Sequence, residues 1–165
     1  MCQDNGRSAE EPADVTTDVV DEVLTATRAL IALSTRSLGE LGENLSTAQY
    51  RALVVLASRG PHRMVDLSQQ LQVNPSTAGR MCDRLVRKGL VRRHRARADR
   101  RIVVVSLSQE GRRVLDEATI ARRGMIARAL GRLPRAEQQD AASALRQLSN
   151  AIGEIPDHAW PATVP

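Results

Sequence analysis

The sequence predicts a mainly helical protein with one small β-wing. Three observations lead there. Val65 to Leu107 reads as a short helix, a turn, a second helix and an arginine-rich hairpin. Positive charge is concentrated on that second helix and the hairpin. Apolar residues at helical spacing flank this stretch on both sides, over 17–41 and 108–152. Together they describe a winged helix-turn-helix whose amino- and carboxy-terminal helices serve another purpose, which we read as homodimerisation.

The elements follow in order. Residues 1–16 are polar and acidic and predict a disordered tail. From Thr17 to Leu41, Val19, Val20, Val23, Leu24, Leu30, Ile31 and Leu38 make one apolar face of a long helix, closed by Gly39 and Gly42. The next helix starts at a capping box, with Ser46 at the N-cap, Gln49 three residues on, and Leu45 and Tyr50 as the staple pair. Its inward residues are Tyr50, Leu53, Val54, Leu56 and Ala57, and Arg59-Gly60-Pro61 ends it. A short helix over Met64–Leu71 buries Leu67 and Leu71.

Asn74 is a good N-cap for the following helix, and Pro75 suits its first position, where a missing N–H is no loss. Ala78, Met81, Cys82, Leu85 and Val86 recur as the inward face. Ser76, Thr77, Arg80, Arg84 and Arg87 occupy the outer one. Gly89 closes this helix. Leu90–His94 and Ile102–Val105 then read as paired strands around a polar turn at Arg95–Arg100. Ser108 caps a helix of roughly 25 residues, near 37 Å long at the usual rise. Pro134 breaks it. A last helix turns Ala141, Leu145, Leu148 and Ile152 inward, and residues 153–165 predict a loose, Pro-rich tail. The winged-helix core spans about 45–107 within a domain over 17–152.

Composition narrows the function. The 165 residues are 42% hydrophobic, yet Phe is absent and Trp and Tyr occur once each. That excludes the aromatic platforms of single-strand and RNA binders. Residues 1–45 carry 3 Arg against 9 acidic residues, a net of −6, whereas 74–101 carry 10 Lys/Arg against 2 Asp, a net of +8. Such a local excess marks a surface for the phosphates of double-stranded DNA. Nearly every basic residue is Arg, Lys88 being the one Lys, so the clustering carries more information than Arg identity at any position.

Two cysteines, Cys2 and Cys82, are too few for a disulfide framework and fit a reduced, cytoplasmic chain. No signal peptide opens the sequence, and no apolar run approaches the ~20 residues of a membrane span, so no membrane partner is expected. His62, His94 and His158 are scattered without metal-ligand spacing, and no nucleophile–base set is present. Neither catalysis nor a cofactor is expected.

Pro75, Ser76 and Thr77 stand at the leading end of the outer helix, where N–H groups and hydroxyls meet phosphates or base edges. Arg80 and Arg84 lie a turn apart. Either reads a guanine or clamps a phosphate; the sequence leaves both open. Arg95, Arg97 and Arg100 are wing candidates for a narrow minor groove. Asp99 is read as holding the wing turn, and Asp83 has Arg80, Arg84 and Arg87 within local reach. Cys82 suggests a thiol-based redox sensor, but its place on the apolar face favours inert packing.

LSTAQYRALVVLASRG (45–60), VDLSQQLQVNPSTAGRMCDRLVRKGLVRR (65–93) and ADRRIVVVSLSQEGRRVL (98–115) together resemble the MarR (multiple antibiotic resistance regulator) family. The family's hallmark is an Asp-x-Arg in the wing, here Asp99-Arg100-Arg101, followed by a strand and a Leu-Ser-x-x-Gly helix start, here Leu107 to Gly111. The resemblance implies a homodimer, a recognition helix in the major groove, and repression relieved by small molecules or oxidants. It implies that Asp83 pairs with Arg101 to structure the wing. It also implies an effector pocket where the dimer helices meet the winged-helix core, with Arg28 and Arg36 as candidates to face a small anionic or aromatic ligand. Two departures stand out: Gln72 occupies a turn position where the family usually has Gly, and Ser68 one where it often has Ala. A competing reading is an architectural, weakly specific DNA-binding protein of the same fold.

Overall fold

The computed structural model describes residues 15–39, 45–96 and 99–161. Its elements are α1 (Thr17–Gly39), α2 (Thr47–Arg59), β1 (His62–Arg63), α3 (Met64–Gln70), α4 (Pro75–Arg87), β2 (Val91–Arg95), β3 (Val103–Leu107), α5 (Gln109–Leu130) and α6 (Arg135–Ala151). A 3₁₀ turn follows at Asp157–Ala159. The tail over 1–14, Gly42 and residues 162–165 lie outside the described residues.

The chain forms two compact units, residues 1–32 and 33–165. The described part of the first is the amino-terminal stretch of α1, with Val19, Val20, Val23, Leu24, Leu30 and Ile31 exposed. The second holds the hydrophobic core. Leu53 and Val55 of α2, Leu67 of α3, Leu85 of α4, Val91 and Val105 of the sheet, and Val114 and Leu115 of α5 are fully buried. Each such side chain contributes about 1.5–3 kcal/mol when removed from water. With no Phe, these aliphatic side chains fill the centre, while Tyr50 and Trp160 pack at its edge.

Local chemistry sets the helix starts. The Ser46 hydroxyl accepts the Gln49 N–H, and the Gln49 side chain accepts the Ser46 N–H, completing both halves of the capping box. Asn74 Oδ1 accepts the Thr77 N–H at 2.8 Å, with Pro75 at the first helical position. Ser108 Oγ accepts the Gly111 N–H and donates to the Gly89 carbonyl, so one hydroxyl starts α5 and fastens it to the end of α4.

Four features differ from the sequence expectation. First, the wing is a three-stranded antiparallel sheet in the order β1-β3-β2, not a simple hairpin. The added strand pairs His62 with Val105 and Arg63 with Val104. Second, α5 stops at Leu130 instead of reaching Leu133. Gly131 caps it, and Arg132 and Leu133 turn back to Ala129 and Leu130 ahead of Pro134. Third, Val86 is exposed, as are Leu145, Leu148 and Ile152 of the last helix; α6 buries nothing within the single chain. Fourth, the segment after α6 is not loose but folds back as a strap onto α2 and α5.

Candidate nucleic-acid interface

The interface is built on the helix-turn-helix of α3 and α4. The turn between them holds Gln72 at φ 53°, the one positive φ of a non-glycine among the described residues. Its backbone is pinned on both sides: the Gln72 N–H donates to the Gln69 carbonyl and the Val73 N–H to the Ser68 carbonyl, each at 3.0 Å. Ser68 itself is buried, its hydroxyl donating to the Val65 carbonyl at 2.7 Å, so the polar atom is satisfied within α3.

The turn fixes how α4 presents itself. Ala78, Met81, Cys82 and Leu85 are buried, which leaves Pro75, Ser76, Arg80, Arg84 and Arg87 exposed and Thr77 half-buried. Arg80 donates to the Thr77 hydroxyl at 3.3 Å, which steers its guanidinium along the helix toward the amino end. Thr77, Arg84 and Arg87 line a notch against the first turn of α2, beside Ser46, Ala48, Gln49 and Lys88. Sequence reasoning had not singled out Lys88, although it stands in the same basic run.

The wing is tied to this helix by Asp83. Its carboxylate pairs with Arg93 of β2 at 2.7 Å, not with Arg101 as the family resemblance implied. Arg93 sits on the strand that follows α4 and reaches Asp83 directly, whereas the Arg101 N–H is used within the turn, donating to Asp99 Oδ1 at 2.8 Å. The signal for Arg93 was its place in the first wing strand, but the strand's facing cannot be read from a run as uniformly basic as Arg92-Arg93-His94-Arg95. Arg95 donates to the Arg100 carbonyl at 3.1 Å, across the base of the turn. Arg95 and Arg100 are exposed, and Arg97 lies outside the described residues.

Cys82 is fully buried under α4, and burial pushes its thiol above the ordinary range. That is the opposite of a reactive, low-pKa thiol. Cys2 lies outside the described residues. Arg28 donates to the Thr25 hydroxyl on its own helix, and Arg36 is exposed. A cavity of about 670 Å³ opens among α2, α5, α6 and the carboxy-terminal strap. Among the described residues no group of His, Cys, Asp or Glu is arranged to hold a metal ion, and no helix is long and apolar enough to cross a membrane.

Comparison with known proteins meets this geometry. The MarR family model matches residues 45–103, from the start of α2 to the wing. The HTH-type transcriptional repressor MdtR of Bacillus subtilis is 30% identical over 109 residues, covering 66% of this chain and 70% of that protein. The crystal structure of RV1404 from Mycobacterium tuberculosis superposes with a TM-score of 0.80 at 37% identity, over 87% of this chain and 99% of that one. Bordetella bronchiseptica BpsR, whose DNA binding is regulated by 6-hydroxynicotinic acid, shares the fold at 24% identity and a TM-score of 0.59, over 84% of this chain and 98% of its own. With an exposed basic helix, a wing tethered to it, and relatives covered over most of their length, the chain belongs to the MarR family and is a DNA-binding transcriptional regulator, not an enzyme.

Proposed function

We propose that the protein is a homodimeric repressor that binds a pseudo-palindromic operator and is released by a small-molecule effector. One observation carries the DNA-reading part. The outer face of α4 presents Ser76, Arg80, Arg84 and Arg87 to solvent, while its inner face is locked into the core. In this reading Pro75, Ser76 and Thr77 lead into the major groove and Arg80 and Arg84 meet base edges or phosphates. Arg87 grips the backbone, and Arg95, Arg97 and Arg100 enter the minor groove. Asp83 paired with Arg93, and Asp99 accepting the Arg101 N–H, hold the wing in shape. The repressor sign is supported by the name of MdtR, and two-fold pairing by the family's habit of acting as dimers, which sets two recognition helices about one DNA turn, roughly 34 Å, apart.

The test is selection of bound DNA from a random pool, followed by affinity measurements on the selected site and on random duplex at one fixed salt concentration. Arg84→Ala is expected to weaken the selected site by about 1–3 kcal/mol and random DNA far less. Equal losses on both would make Arg84 a phosphate contact. Equal affinity of the unaltered protein for both would leave an architectural protein in place of a repressor.

A further inference from the structure

Helix α6 is steered by its two ends. At its start, the turn over 131–134 joins it to α5, with the Arg132 and Leu133 N–H groups donating to the Ala129 and Leu130 carbonyls. Along its length it buries no side chain within its own chain. A cavity of about 670 Å³ stands where packing would be, with Arg146, Ser149 and Asn150 of α6 in its wall beside Val54, Thr119 and Ile126 of α2 and α5. A helix with so little buried apolar contact takes its direction from whatever holds its ends.

The far end is held by the strap. Gly153, at φ 72°, turns the chain out of α6; its N–H donates to the Asn150 carbonyl, and that of Glu154 to the Ser149 carbonyl. The strap then meets the DNA-binding core at three points. Glu154 pairs with Arg51, near the start of α2, at 2.7 Å. Arg59, at the end of α2, donates to the Gly153 carbonyl at 3.0 Å. Trp160 packs at the edge of the hydrophobic core and lies against Arg112 in the first turn of α5, 6.0 Å from guanidinium carbon to ring centroid, while Arg112 donates to the Pro161 carbonyl. Trp160 Nε1 also donates to the Ile155 carbonyl at 3.0 Å, closing the strap on itself. Arg112 follows Gly111, whose N–H is held by the same Ser108 hydroxyl that reaches the Gly89 carbonyl. The strap therefore lands at the root of the wing. Exposed fastenings of this kind are individually weak. Spread over both ends of α2 and the start of α5, they fix a direction as well as a distance.

We propose that residues 153–161 are a brace that holds α6 at one attitude to the DNA-binding core, and thereby sets the half-site spacing that the dimer accepts. The brace acts between subunits, so it rests on the homodimer reading above. With α6 in the dimer arm, any turn of α6 against its own core moves one recognition helix relative to the other. Arg112, Glu154 and Trp160 are then positioning residues, and none of them has to touch DNA.

The test uses the selected operator and two versions with one base pair added or removed between the half-sites, which turns one half-site by about 35° around the duplex. The unaltered protein is expected to lose about tenfold or more in affinity on either altered spacing, because the second half-site is then out of reach. Glu154→Gln combined with Arg112→Gln frees both ends of the strap in the full-length chain. This variant is expected to stay dimeric in sedimentation, to bind a single half-site as before, and to differ by less than about threefold among the spacings. Emission from Trp160, the one tryptophan, is expected to shift to the red as the ring enters water. Trp160→Ala is expected to flatten the spacing response in the same way. Unshifted emission in the double variant, or a shift with the spacing preference intact, overturns the brace. So does equal weakening on every spacing and on the single half-site, which would make the strap a stabiliser of the core alone. If the unaltered protein sediments as a monomer, the homodimer reading fails; if it is a dimer whose spacing preference survives both variants, only the brace fails.

Discussion

Gln72 holds a left-handed backbone that L side chains adopt at a cost of about 1–2 kcal/mol. The turn of the helix-turn-helix demands that conformation, because the hydrogen bonds of Gln72 and Val73 to the end of α3 leave no other route into α4. Gln72→Gly is therefore expected to raise unfolding stability by about 0.5–1 kcal/mol after the extra flexibility of glycine in the unfolded chain is subtracted, read as a higher urea midpoint with unchanged slope. Cys82 makes the reverse case, a residue whose chemistry is suppressed by its place. In a Cys2→Ser background, Cys82 is expected to resist a thiol reagent until the protein is unfolded, and peroxide is expected to leave DNA affinity unchanged. Because burial raises the thiol pKa in the native state, the unfolded chain ionises first; stability therefore falls as pH rises above the ordinary thiol value of about 8.5, and Cys82→Ser removes that alkaline component.

Among the elements, the start of α5 shows why the family's helix signature ends in glycine. A Cβ on Gly111 would stand 2.1 Å from the Leu90 carbonyl oxygen and 2.8 Å from Leu107 Cδ1. The first is backbone at the root of the wing and has nowhere to go. Gly111→Ala is expected to destabilise by about 1–3 kcal/mol or more, seen in thermal unfolding, with operator affinity lost in step because the sheet must shift. This contact also marks what a sequence can show. Ser46, Asn74 and Ser108 were readable as caps because a cap is a side chain meeting backbone three residues away. The inner face of α4 was readable from its spacing, apart from Val86 at its margin. Strand β1 was not: two residues have no period, and His62 and Arg63 find partners in Val105 and Val104 more than forty positions on. The Asp83–Arg93 pair was missed for the same reason, since which side of β2 faces α4 is decided by the sheet's register. The strap was hidden by a Pro-rich composition that looks loose, and was fixed by Trp160 and Glu154 reaching elements far back in the chain.

For the molecule as a whole, the apolar stripes of the terminal helices are the unfinished part. Leu145 and Leu148 on α6, Ile152 at its carboxy-terminal cap, and Val19, Val23 and Leu24 on α1, are exposed in the single chain. In the proposed homodimer these are the faces that pair. Leu148→Glu is expected to turn a dimer into a monomer in sedimentation and to lower operator affinity by about 100-fold, since one half-site must then bind alone. A variant that stays dimeric would remove α6 from the interface. The wing has a further consequence. Its root is bonded on both edges, by β1 and by β2, and the ladder runs out to the Arg95–Val103 pair. Beyond that pair the Ala96 N–H donates to the Ile102 carbonyl, and the turn is then held by its own bonds at Asp99, not by a further strand. The tip is thus a replaceable part: the segment between Arg95 and Val103 can change length and charge over evolutionary time, or be exchanged by design, retuning which DNA the protein prefers while the body that carries it stays as it is.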